Sequence, residues 1–199
     1  MNKLFFVFGP ESAGNHVTSK ILQTMGCFWE EPQKLDKFVY GEINNFTDIT
    51  TQENIVLRRS VPHGRDWCDP LAIKIKFLNH QPSYEMITII PVRDWMPNIL
   101  SNYYHRATTQ QEAIPILQKA WTHIGKHMIN IMPFYFLNTS LLFKYPKSTI
   151  ESLEFFTGLK WPNENYNQIY DADIGKHKIF QEYGFENINR EIIRDNIKH

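Results

Sequence analysis

The chain has 199 residues, 42% of them hydrophobic and 21% charged, with 21 basic and 21 acidic side chains and so no formal net charge. This size and composition fit one globular domain, residues 1–199, with a real core, and exclude a disordered chain. Zero net charge argues against a broad electrostatic footprint for nucleic acid or anionic membrane, while leaving room for a local basic pocket.

Two cysteines, Cys27 and Cys68, give neither a disulfide framework nor a zinc pattern. The first apolar run is about five residues, too short for a signal-peptide core or a membrane span, and no later run reaches spanning length. The sequence therefore predicts a soluble, cytoplasmic protein with no membrane or nucleic-acid partner.

Leu4 to Phe8 is continuously apolar, as in a strand buried on both faces of a parallel sheet. After a loop, Val17, Ile21, Leu22 and Met25 share one helical face. A polar, irregular stretch follows to about residue 53. Residues 54–60, "NIVLRRS", read as a second strand, and "VPHGRDW" as the loop after it. "LAIKIKFL" alternates apolar and basic residues, which suits a strand without excluding a helix. Met86 to Val92 is a third strand. Asp94 can cap the next helix, with Pro97 in its first turn. Ile114, Leu117, Trp121, Ile124, Met128 and Ile131 recur at helical spacing. "FYFLNTSLLF" reads as a fourth strand and its exit. Ser148 to Thr157 is a helix ended by Gly158, and Ile188, Ile192 and Ile197 suggest a last amphipathic helix.

Strands alternating with helices predict an α/β, three-layer fold with a mainly parallel central sheet. Ligands in such sheets bind outside the carboxyl ends of the strands. The loops after Phe8, Ser60 and Val92 all open onto that edge, which draws residues 9–16, His63 and Arg93 toward one site.

Gly9 and Gly14 have the spacing of the glycines in G-x-x-x-x-G-K-[ST], where backbone amides wrap an anion ahead of a helix. The lysine position is Asn15 and the magnesium-binding hydroxyl position is His16. The later strands end in Arg58, Arg59 and Arg93 instead of magnesium-binding carboxylates. A metal-free reaction on a phosphorylated nucleotide fits this set better than ATP hydrolysis. Arg93 at a strand end and Ser101 in the following helix can both grip one phosphate.

The segment "PVRDWMPNILSNYYHR", residues 91–106, resembles the 3′-phosphate-binding motif of the sulfotransferases. Arg93, Ser101, Tyr103, Tyr104 and His105 correspond to it, with the tyrosine pair displaced by one residue. Residues 138–141 and 155–159 resemble two further family segments, and the order is the family's. The resemblance implies a P-loop NTPase-like fold and transfer of a sulfuryl group from 3′-phosphoadenylyl sulfate to a hydroxyl or amine of a small-molecule or carbohydrate acceptor, without a metal. It implies that Ser12, Ala13, Gly14, Asn15 and His16 hold the 5′-phosphosulfate, and that Arg93 and Ser101 hold the 3′-phosphate. The product would be adenosine 3′,5′-bisphosphate.

The loop departs from the family in lacking its basic residue. Glu11 stands there, so a cation would have to come from Arg58, Arg59, Arg65 or His16. His63 follows the second strand and is the candidate general base, since imidazole titrates near neutral pH. Lys176 and Lys178 are candidates for a late basic loop over the nucleotide, and Trp29, Tyr40 and Trp67 for the acceptor pocket. Two other readings stay open: a P-loop nucleotide or nucleoside kinase, and a non-catalytic nucleotide-binding protein of the same fold.

Overall fold

A computed structural model describes residues 2–29, 54–63, 66–80, 82–106, 109–162 and 166. Its centre is a four-stranded, all-parallel sheet of order β2-β1-β3-β4, made of β1 (Asn2–Pro10), β2 (Asn54–Val61), β3 (Tyr84–Val92) and β4 (Phe134–Asn138). The continuous apolar runs suit strands of a parallel sheet, and from Leu4 to Phe8 neither face of β1, an inner strand, meets water. Leu4, Phe6 and Phe8 point into one layer, Phe5 and Val7 into the other, and all five are fully buried.

Among the described residues six α-helices accompany the sheet: α1 (Asn15–Thr24), α2 (Pro70–His80), α3 (Trp95–Arg106), α4 (Gln110–His127), α5 (Thr139–Lys144) and α6 (Pro146–Thr157). On one face, Val17, Ile21 and Leu22 of α1 and Ile150 and Leu153 of α6 pack on Phe5 and Val7. On the other, Ile73 and Phe77 of α2 and Ala120 and Ile124 of α4 pack on Leu4, Phe6 and Phe8. Helices on both faces of the parallel sheet give a three-layer α/β arrangement. Ile99 of α3 joins Ala113 and Leu117 of α4 in a smaller cluster.

Several local outcomes sharpen the sequence pattern. "LAIKIKFL" is helical: Asp69 accepts a hydrogen bond from the Leu71 amide (2.8 Å), and Pro70 opens the helix. Ile73 and Phe77, four apart, are buried, while Ile75 between them is 51% exposed. The alternation came from basic residues on the helix surface, not from a pleat. The long periodic segment begins at a capping box, Thr109 with Glu112, and ends at His127, where a 3-10 turn (Met128–Ile131) takes over. Ala113, Leu117, Ala120 and Ile124 form its buried stripe, and Ile114 lies outside it, 40% exposed. "FYFLNTSLLF" splits at Asn138, whose side chain accepts from the Leu141 amide (3.0 Å) and starts α5. Gly158 ends α6 in the left-handed conformation (φ 73°), as its sequence position predicts. The suggested helix at Ile188–Ile197 lies outside the described residues.

Both cysteines are free thiols. Burial of Cys27 pushes its pKa up to about 12.

Phe6 sits on the central strand with no exposed surface, and Phe155 on α6 is 94% exposed. Urea unfolding is expected to show Phe6→Ala destabilised by about 3–5 kcal/mol and Phe155→Ala changed by no more than about 0.5 kcal/mol. Equal effects would contradict this assignment of the core.

Candidate functional site

Because all strands are parallel, their carboxyl ends share one edge: Gly9 pairs with Ser60, Pro10 with Val61, and Val92 with Asn138. The chain leaves β1 for β2 on one side and later returns to β3 on the other. The β1 and β3 exits therefore flank the switch point where open α/β sheets bind ligands.

The β1 exit is a short loop built on a tight turn. The Ala13 amide donates to the Pro10 carbonyl (3.1 Å), and Ser12 has φ 64°. A positive φ at the third of four turn residues, with none at the second, is the type II pattern, in which that position favours glycine. Gly14 follows at φ 104° as N-cap of α1 and supplies no capping side chain. The first-turn amides of α1 therefore carry no side-chain cap.

The carbonyls of this loop are held from several directions. Asn15 Nδ2 donates to Pro10 O (2.8 Å), Gly9 O (3.3 Å) and Ser60 Oγ (3.2 Å). Arg93 Nη1 donates to Ser12 O (3.1 Å). The Thr139 hydroxyl lies 2.9 Å from Ala13 O and 3.0 Å from Val92 O. Thr18 donates from both its amide and its hydroxyl to Gly14 O. In a trans peptide the carbonyl and the next amide point opposite ways. With the carbonyls of Ala13 and Gly14 turned into the protein, the amides of Gly14 and Asn15 turn away from it.

The structure brings into contact the two segments that the sequence reading expects to hold a nucleotide, the β1–α1 loop and the β3 exit. Arg93, just past β3, reaches the loop through Ser12 O. Ser12 Oγ donates to Asn102 Oδ1 on α3 (3.0 Å), next to Ser101. Ser101 is buried, 7% exposed. Tyr103, Tyr104 and His105 follow on α3, but their side chains lie outside the described ones.

The individual loop residues differ in what they offer. Ala13 is fully buried and its amide is used inside the turn. The Asn15 side chain is buried and faces the loop's own carbonyls instead of the mouth. That leaves its backbone amide, with those of Gly14 and His16, as the groups of the loop's exit that an anion at the mouth would meet. The His16 ring packs edge-on against Trp29, and the Arg58 guanidinium lies 5.6 Å from the centre of the same indole.

The two strand arginines part company. Arg58 and Ser60 point to the α1 face with Val56, whereas Arg59 points to the α2–α4 face with Leu57 and Val61. Arg59 is 1% exposed and pairs with Asp66. Burial raises the pKa of the Cys68 thiol, and the nearby Arg59 guanidinium opposes that rise only in part. Arg65, Tyr40, Lys176 and Lys178 lie outside the described residues.

His63 follows Val61 and Pro62 on the β2 end of the same edge. It exchanges backbone hydrogen bonds with Asp66 (3.0 Å each), and its side chain is exposed. Trp29 is buried in the α1-side core, and Trp67 packs on the other face, under Lys119.

Asn102, Asn98, Ser60 and Thr139 belong to this site and escape a motif reading. Ser60 carries one signal, a small polar residue ending an apolar strand. Asn102 carries another, as the residue that separates Ser101 from the displaced tyrosine pair. Asn98 and Thr139 carry none.

A Cβ on Gly14 would lie 2.6 Å from Thr139 Cγ2, and the glycine's φ of 104° disfavours any side chain. Gly14→Ala is expected to cost at least about 2 kcal/mol in thermal unfolding. Adding Thr139→Ser, which removes that methyl, recovers part of the loss; no recovery would contradict the interlock.

No protein-family model matches the chain, and no curated protein matches its sequence. Among solved structures, it is similar to the mouse sulfotransferase SULT7A1 complexed with PAP, at 13% identity and a TM-score of 0.51. The match covers 84% of this chain and 62% of that one. The likeness is one of fold: the chain has a sulfotransferase-like α/β architecture and spans under two thirds of its neighbour.

Proposed function

We propose that the protein binds adenosine 3′,5′-bisphosphate and its sulfated donor form, 3′-phosphoadenylyl sulfate, and transfers the sulfuryl group to a hydroxyl or amine of a small-molecule or carbohydrate acceptor. The observation that carries this reading is the contact between the loop and the β3 exit: Arg93 Nη1 lies 3.1 Å from Ser12 O, and Ser12 Oγ lies 3.0 Å from Asn102, beside Ser101. Two anion-binding elements joined this closely suit a ligand with a phosphate at each end. The fold likeness to a sulfotransferase complexed with PAP supports the same ligand class.

In this reading the amides of Gly14, Asn15 and His16 bind the 5′ end, and the first turn of α1 adds its partial positive charge. Arg93 and Ser101 bind the 3′-phosphate. The donor supplies an activated sulfuryl group whose transfer requires no redox change. His63 takes the proton from the acceptor hydroxyl as its oxygen bonds to sulfur, and the bridging S–O bond to the 5′-phosphate breaks. Positioning of the two reactants supplies the remainder. Among the described residues no group of three metal-ligand side chains lies together.

Glu11 is the feature that favours a second reading, a non-catalytic binding protein. A carboxylate in this loop opposes charge building on the leaving oxygen. Arg59 is held by Asp66 on the far face of the sheet. Arg93 touches the loop but is assigned to the 3′-phosphate, so of the other described strand arginines Arg58, over Trp29 on the α1 side, is the one on the loop's face. In this reading charge on the leaving oxygen falls to it and to His16.

Calorimetric titration is expected to show binding of adenosine 3′,5′-bisphosphate, weakened at least about tenfold by Arg93→Ala, and far weaker binding of ATP–magnesium. Preference for ATP–magnesium would favour the kinase reading. Glu11→Lys is expected to speed donor turnover on a panel of phenols, amines and sugars by about 10–100-fold. Tight bisphosphate binding with no turnover in either protein would select the binding-protein reading.

A further inference from the structure

We infer that Asn102 is a positioning residue of the nucleotide site, acting through Ser12: it stabilises the turn that presents the loop amides and fixes that loop against the Arg93–Ser101 pair. The inference rests on the bisphosphate reading above and assigns a role to a residue outside that set of ligand contacts.

Ser12 is the one non-glycine residue with a positive φ among the described residues, and it occupies the glycine position of a type II turn. Nothing in its own chemistry favours that conformation, because a Cβ crowds the following carbonyl oxygen there. Two partners hold it. Arg93 binds its carbonyl, and Asn102 accepts its hydroxyl hydrogen. The acceptor is itself fixed, since Asn102 Nδ2 donates to Asn98 Oδ1 (2.9 Å), which orients the amide with its oxygen toward Ser12. Asn98 is 1% exposed and Asn102 is 8% exposed, so water competes little for these bonds. Helical spacing makes the pair possible: Asn98 and Asn102 stand four apart on one side of α3. The displacement of the tyrosine pair by one residue is what leaves position 102 to an asparagine beside Ser101.

The consequence is a coupling of the two ends of the site. Where residue 12 sits decides where Ala13 turns back onto Pro10, and so where the amides of Gly14 and Asn15 begin. Where α3 sits decides the place of Ser101. The Ser12–Asn102 bond makes these one rigid unit, which suits a ligand of fixed span between its phosphates.

A cycle with glycine at position 12 tests this. Glycine adopts a positive φ without assistance, so a residue that acts by holding Ser12 there becomes dispensable. Native protein, Asn102→Ala, Ser12→Gly and the double variant are titrated calorimetrically with adenosine 3′,5′-bisphosphate and melted without ligand. Asn102→Ala is expected to weaken binding about tenfold in the native background and less than about twofold in the glycine background, with melting temperatures following the same pattern. Ser12→Ala deletes the same hydrogen bond while leaving α3 intact, and is expected to match Asn102→Ala. Equal losses in both backgrounds, or no loss from either alanine variant, would overturn the inference. A native chain that ignores the bisphosphate refutes the nucleotide reading instead. The melting cycle then decides the Ser12–Asn102 coupling alone, and additive losses overturn it.

Discussion

The candidate site depends on one constraint: the carbonyls of Gly9, Pro10, Ser12, Ala13 and Gly14 are drawn inward by side chains of α1, of the β3 exit and of α5. Asn15 holds Gly9 and Pro10, Arg93 holds Ser12, Thr139 holds Ala13, and Thr18 holds Gly14. A peptide plane cannot turn its carbonyl in without turning its amide out. For Ala13 and Gly14 this turns the amides of Gly14 and Asn15 outward, whereas the Ala13 amide stays inside the turn and Pro10 has none to offer. The same bonds tie β2, β3, α3 and α5 to one short segment, because Ser60, Arg93, Asn102 and Thr139 come from those elements or their margins.

The sheet makes this convergence cheap. Four parallel strands deliver their exits to one edge, and β1 in the middle puts its loop between the exits of β2 and β3. Strand alternation then sorts the charges. Arg58 falls on the α1 face and Arg59 on the other, although they are neighbours in sequence. The buried guanidinium of Arg59 is compensated by Asp66, a residue of the short turn that also carries His63.

Much of the architecture was legible in the residues. Continuous apolar runs at Leu4–Phe8 and Met86–Val92 announce buried parallel strands, and Gly158 announces the end of α6. "LAIKIKFL" was ambiguous because Lys74 and Lys76, both partly buried, alternate with apolar residues as on a strand, and the Asp69–Pro70 start signal decides it. The long periodic segment overran its helix because Ile131 stays buried in the 3-10 turn that follows. At the candidate site, spacing and resemblance single out the glycines and Arg93, and the structure places them at the β1 and β3 exits. Asn102 and Thr139 could not. Each acts through a hydrogen bond to a residue far away in the chain, and no pattern along a sequence encodes which distant carbonyl a hydroxyl will meet. Asn15 was legible as a departure from lysine, but its inward orientation follows from the loop's carbonyls and needed coordinates.

The most direct test of the central claim observes the loop amides themselves. Amide chemical shifts of isotope-labelled protein, followed by nuclear magnetic resonance during titration with adenosine 3′,5′-bisphosphate, are predicted to move most at Gly14, Asn15 and His16 and at Ser101, with saturation at one common ligand concentration. Shifts confined to the α2–α4 face, or loop and α3 signals saturating at different concentrations, would contradict a single site held at both ends.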